Sequence, residues 1–209
     1  MPDTVRRLAG AAVAAAALAA VLGVAGQSPE RGAAPPGFKD APSARSAVAV
    51  ASAGPGQEAP AAPPVRVEVP GIGLDARVEA VGVTRQGAMT VPDDPAVAGW
   101  YRYGPAPGSP QGSAVLVGHV DSDTGDLGEF AALYDVERGD TVEVRRAEAE
   151  AAVYRVVSRT TVPKDELPPS VFRRTGDPVL TLITCAPPFE PERGGYLANL
   201  VVTAEPVEN

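Results

Sequence analysis

One cysteine and one histidine are the residues of this chain whose types invite covalent chemistry. Cys185 closes the apolar run TLITC (181–185) and is followed at once by Ala186-Pro187-Pro188, which should end a strand. A thiol at the carboxyl end of a strand, beside a loop, is well placed to meet a substrate. The competing reading is a buried cysteine behaving as a small hydrophobe. His119 ends the run AVLVGH (114–119) and leads into the polar loop VDSDTGDLGE (120–129). A reactive thiol needs a neighbour that favours the thiolate or protonates a leaving group, and imidazole titrates near neutral pH. The competing reading there is a surface or structural histidine. Both residues end strongly apolar strands, so adjacent, parallel strands would bring the two side chains to one rim. With a single cysteine no intramolecular disulfide forms, and a metal site of Cys and His ligands lacks members.

The elements that must position these groups read as β structure. VRVEV (65–69) and ARVEAVGV (76–83) alternate apolar and polar residues, whereas SAVLVGHV (113–120) is continuously apolar, as in a strand covered on both faces. TVEVRR (141–146), AVYRVVSRTTV (152–162), PVLTLITC (178–185) and NLVVTAE (199–205) follow, with Gly, Pro and Asp between them. Short strands separated by turn signals predict a closed or nearly closed, mostly β head of about seven or eight strands. Short helices are expected only near 93–98 and 128–134. No internal repeat is visible.

Upstream of the head the composition changes twice. Arg6 and Arg7 precede an uncharged stretch of 18 residues, 8–25, close to the roughly 20 that span a bilayer as a helix. The positive flank predicts a cytoplasmic N-terminus and an exported remainder. A cleaved signal peptide is the alternative, but VAGQ (24–27) offers a poor cleavage site, so segment 1–26 is read as a membrane anchor first and a signal second. Residues 27–64 carry Pro29, Pro35, Pro36, Pro42, Pro55, Pro60, Pro63 and Pro64 among Ala, Gly and Ser, with almost nothing to bury. Such a segment is expected to stay disordered and to serve as a tether with a mean reach of about 35 Å. The head, 65–209, contains thirteen basic and twenty-two acidic residues, about −9 in charge, within a whole-chain formal charge of −8. An acidic surface repels phosphate backbones, which excludes nucleic acid as a partner. Export also weakens the bland reading of Cys185, because an unpaired extracellular thiol is open to oxidation.

The loop after His119 carries Asp121, Asp123, Asp126 and Glu129. An EF-hand spacing is not met, since the glycine falls one position early, so the loop is read as solvated, with Asp126 near the start of a short helix.

With these residues assembled, the head is similar to the sortases. IPxIGxxxxV near the domain start, H-x-D-S after an apolar strand and TLxTC before the last β segment resemble VPGIGLDARV (69–78), GHVDS (118–122) and TLITC (181–185). VPDDPAVAGWY (91–101) and ELPPSVF (166–172) resemble the actinobacterial classes E and F, class F more closely. The resemblance covers Val65 to about Glu205. It implies a closed eight-stranded β-barrel with a few short helices. It further implies a cysteine transpeptidase that needs no cofactor and cleaves an LPxTG-like sorting signal between Thr and Gly. Cys185 would hold the surface protein as a thioester. His119 would protonate the departing amine and later deprotonate the incoming one, an amine of peptidoglycan or a pilin. A single-pass membrane protein with an extracellular catalytic domain fits the same family.

One departure stands out. The family uses an arginine on the strand after the cysteine to hold the oxyanion or the substrate, and class F relatives read like Y-R-D-N-x-V-V. Here the segment is YLANLVV (196–202), with Leu197 at the expected arginine. The nearest arginine is Arg193, whose loop is made pliable by Gly194 and Gly195. It is either a substitute or a solvent-exposed residue paired with Glu190 or Glu192. Thr184 either offers a hydroxyl for substrate binding or packs in its strand. Tyr196 is read as packing, and Trp100-Tyr101 as core rather than substrate groove. Three functions follow: an active sortase, a silent sortase-fold binding module, or an unrelated secreted cysteine hydrolase acting on peptidoglycan peptides.

Overall fold

The computed structural model describes Ala34, residues 36–39 and residues 62–207. The apolar stretch 8–25, read above as an anchor, lies outside the described residues. Among those described, no helix is long and apolar enough to cross a membrane.

Eight strands close into one barrel. They are β1 (Pro64–Val69), β2 (Leu74–Val81), β3 (Val97–Tyr101), β4 (Ser113–Val117), β5 (Thr141–Arg146), β6 (Ala149–Pro163), β7 (Val179–Glu190) and β8 (Gly195–Pro206). Around the barrel the order is β1-β2-β3-β4-β7-β8-β6-β5, and β5 returns to β1 to remove the edges. Two neighbouring pairs are parallel, β2 with β3 and β4 with β7; the others are antiparallel. A barrel of this size is filled by side chains rather than hollow. Alternate residues supply that filling: Ala114 and Leu116 from β4, Leu180 and Leu182 from β7, and Leu200 and Val202 from β8. Phe130 and Leu133, from a 3₁₀ segment Glu129–Tyr134, join the same core.

The closed eight-stranded barrel agrees with the expectation, and the helix expected near 128–134 is present as the 3₁₀ segment. Two local readings do not hold. No helix forms over 93–98, because the Asp94 carboxylate accepts from the Ala96 N–H at 2.9 Å and the Asp94 carbonyl from the Val97 N–H at 3.0 Å. That local turn, with Pro95 inside it, competes with a helix and delivers the chain into β3. Nor does Ala186-Pro187-Pro188 end the strand after Cys185. A register shift between Ala186 and Phe189 leaves the prolines in an irregular stretch of the ladder, and β7 resumes to Glu190.

A short piece of the expected tether packs on the barrel. Phe38 exchanges backbone hydrogen bonds with Arg159, 2.7 and 2.9 Å, and its ring lies under the Arg138 and Arg159 guanidinium groups. Arg159 is buried and donates to the carbonyls of Tyr134, Val136 and Pro36. A guanidinium in a barrel interior must find such partners, and here the tether supplies one of them.

Candidate functional site

The parallel register of β4 and β7 places Val117 opposite Ile183. The Gly118 N–H then donates to the Ile183 carbonyl at 3.1 Å, so the next residue, His119, reaches the level of Cys185. Alternation sets the face. Ala114, Leu116, Leu180 and Leu182 fill the barrel, which puts Val117, Ile183 and, two residues on, His119 and Cys185 on its outside.

Two close approaches hold the histidine's backbone. A Cβ on Gly118 would stand 2.5 Å from the Phe130 ring, and one on Gly128 would collide with the His119 carbonyl. Only glycine fits either place, because such distances lie well inside van der Waals contact. The His119 ring is fixed from the far side, with Nε2 2.7 Å from the Pro92 carbonyl oxygen. A carbonyl only accepts, so Nε2 carries the proton and Nδ1 is the basic nitrogen of the neutral ring. Pro92 forms one wall of a groove of about 350 Å³, bordered also by Arg77, Glu79, Thr90, Asp93 and Asp94. That groove lies on the β2–β3 side of the histidine.

Cys185 is half-buried, and its carbonyl accepts a hydrogen bond from the Tyr134 hydroxyl at 3.0 Å. Burial pushes the Tyr134 phenol up to about 12, with further contributions from the negative charges of Cys185 and Asp121. The phenol therefore stays a donor at neutral pH. Asp121, two residues after His119, accepts from Tyr196 on β8 at 2.7 Å, which draws the loop after the histidine toward the strand after the cysteine. Tyr196 thus does more than pack, although it also meets Phe189 edge-on.

Other expected site residues fall away from the thiol. Thr184 pairs with Leu200 on the inner face, is 1% exposed, and its hydroxyl has no partner among the described residues, so it points into the barrel and away from the Cys185 face. Arg193 sits at the tip of the β7–β8 hairpin in an ion pair with Glu190, 3.3 Å, with 65% of its side chain exposed. The tip lies on the order of 15 Å along the strand from Cys185, beyond an arginine's reach. Leu197 is half-buried and alternates with the inward Ala198, so it faces outward like the thiol. Asn199 is the residue directly opposite Cys185 in the β7–β8 ladder. Trp100 donates to the Pro105 carbonyl at 3.1 Å and packs against the core, while Tyr101 stacks edge-on with Phe172. In the loop after His119, the Asp126 carboxylate accepts from Thr124, and Ser122 closes the same turn.

Sequence reasoning missed Tyr134, the Pro92 carbonyl and Asn199. Tyr134 and the Pro92 carbonyl are defined by what they face across the fold, whereas Asn199 falls on the asparagine of the Y-R-D-N-x-V-V pattern, a signal that could have singled it out.

A family model described as Sortase domain matches residues 67–207. No curated protein matches the chain. Among solved structures, it is similar to sortase C-1 from Actinomyces oris at 25% identity, covering 69% of this chain and 73% of that one, with a TM-score of 0.52. Sortase C1 from Streptococcus agalactiae has 23% identity over 69% of this chain and 67% of its own, TM-score 0.53. Sortase C from Streptococcus pneumoniae, described with pilin substrate specificity, has 20% identity over 70% and 69%, TM-score 0.53.

Proposed function

The chain belongs to the sortase family, and from that premise we propose that Cys185 is the nucleophile of its transpeptidation and His119 the acid/base partner. The observation that carries this reading is the parallel β4–β7 register, which brings the two residues to one level on the outside of the barrel. The thiol proton passes to Nδ1 of His119, and the thiolate adds to a peptide carbonyl. Collapse of the tetrahedral adduct breaks the C–N bond and leaves a thioester, while His119 protonates the departing amine. A second amine, deprotonated by His119, then takes the acyl group.

The substrate is an LPxTG-like sorting signal of an exported surface protein, and the acceptor an amine of peptidoglycan or a pilin. The class F affinity rests on the motifs at 91–101 and 166–172. Segment 1–26 anchors the protein in the cell membrane in a single pass, 27–64 tethers it, and the catalytic head works outside the cell, where substrate and acceptor both lie near the membrane.

The test is intact mass of the purified full-length protein after incubation with LPxTG- and LAxTG-type peptides. The expected result is an added acyl fragment, labile to hydroxylamine, and its complete loss in Cys185→Ala. A folded protein with a titratable thiol and no adduct across the panel would overturn the reading. A second reading, a binding module without turnover, is favoured by Leu197 and by the remoteness of Arg193. It predicts saturable peptide binding with no adduct. A hydrolase would release free acid and be indifferent to added amine.

A further inference from the structure

Attack on a peptide carbonyl turns its oxygen into an oxyanion, and a site that lacks a donor aimed at that oxygen loses rate steeply. Three strands border the thiol's face: β4, β7 and β8. Two residues past the end of β4, Nε2–H of His119 is committed to the Pro92 carbonyl. On β8 the outward residues around the thiol are Leu197, Asn199 and Val201, since Ala198, Leu200 and Val202 fill the core. Leucine and valine have no donor. Asn199 does, and the antiparallel register sets it directly opposite Cys185. Directly paired residues of an antiparallel ladder point to the same side, with Cβ atoms about 5 Å apart. Asn199 is half-exposed, and among the described residues no side-chain hydrogen bond engages its carboxamide.

We propose that Asn199 is a catalytic residue whose carboxamide N–H holds the oxyanion formed at Cys185, a task that Leu197 cannot perform and Arg193 cannot reach. This rests on Cys185 being the nucleophile. In the step itself the C–S bond forms, the carbonyl π pair moves to oxygen, and Nδ2–H of Asn199 donates to that oxygen. When the pair returns, the C–N bond breaks, the amine leaves with the proton held by His119, and the carboxamide is unchanged.

The experiment compares full-length native protein, Asn199→Ala, Asn199→Asp, Leu197→Arg and the double variant Leu197→Arg/Asn199→Ala. Acyl-enzyme formation from the accepted peptide is followed by mass, with alkylation of Cys185 by iodoacetamide and thermal melting alongside. Alkylation forms no oxyanion, so it reports the thiol without the donor. The expected result is a fall of about 10²–10³-fold in acylation for Asn199→Ala. Asn199→Asp, the same size but acceptor-only, should fall at least as far. Alkylation and melting should change little, and arginine at 197 should restore the double variant. A purely structural role would lower melting and alkylation together and would overturn the proposal. So would native-like acylation by Asn199→Ala. If the native chain is silent and Leu197→Arg is active, Asn199 is no substitute donor and the proposal falls; the native chain is then the binding module without turnover, with Cys185 still a competent nucleophile once an arginine is supplied. If both are silent with reactive thiols, both readings fall.

Discussion

On its β4 side, Cys185 stands level with a histidine whose backbone is pinned between two glycines that admit no Cβ and whose ring is tied to the Pro92 carbonyl. On its β8 side it meets ladder positions, Leu197 and Asn199, whose side chains stand outward and half-exposed. The first flank is built by close packing of backbone, so the position of its functional group is inseparable from the fold. The second is built by regular pairing, which accepts almost any outward side chain. An arginine can therefore be lost from the second flank without disturbing the barrel. The same change on the first would disrupt the packing that holds the histidine.

That contrast can be tested at several points. His119→Ala should break the first flank's chemistry most severely, lowering acyl transfer by about 10²–10⁴-fold while melting is retained. A rate within fivefold of native, from the same mass-detected assay, would mean another group supplies the proton. Gly118→Ala should come next, because its Cβ must displace the Phe130 ring. Overpacking of this kind costs about 1–3 kcal/mol in chemical denaturation. If the backbone argument is sound, acylation falls even in folded protein, whereas a change to Ala at Leu197 leaves stability near native.

Tyr134→Phe should have the smallest effect. It removes one hydrogen bond, worth about 0.5–1.5 kcal/mol, to the Cys185 carbonyl. The phenol's raised ionisation, from 10.0 to about 12, adds a pH signature. Below pH 10 the phenol is protonated in folded and unfolded chains alike. Between pH 10 and 12 the unfolded chain releases its proton first, so native stability declines across that window. Tyr134 is only partly buried, which moderates the decline. Denaturation midpoints measured from pH 8 to 12 should show a shallower fall in Tyr134→Phe than in the native chain; parallel curves would refute the burial argument.

Much of the barrel was legible in the sequence. Period-2 alternation marked β1 and β2, a continuous apolar run marked β4, and short strand-like runs between turn signals marked β5, β6, the first half of β7 and β8. β3 escaped because VAGWY is short, holds a glycine, and follows a stretch read as helix. A Cβ on Gly99 would stand 3.0 Å from both Pro92 and Val81, so the glycine serves packing between neighbouring segments rather than a local turn. The second half of β7 escaped because prolines ordinarily break a ladder and here sit in its bulge. Docking of Phe38 escaped because its partners, Arg138 and Arg159, lie about a hundred residues downstream.

For the site, the sequence by itself determined which reactive groups exist, one thiol and one imidazole each ending an apolar strand, and it exposed the missing arginine. Residue type and local period carry that information directly. Only the tertiary structure decided that Thr184 points inward, that Arg193 stays at the hairpin tip, and that Asn199 stands opposite the thiol. These facts depend on register, and a slip of one residue would turn every side chain of a strand to the other face. Register in a closed barrel is set by all eight strands closing together, so no local stretch of sequence contains it.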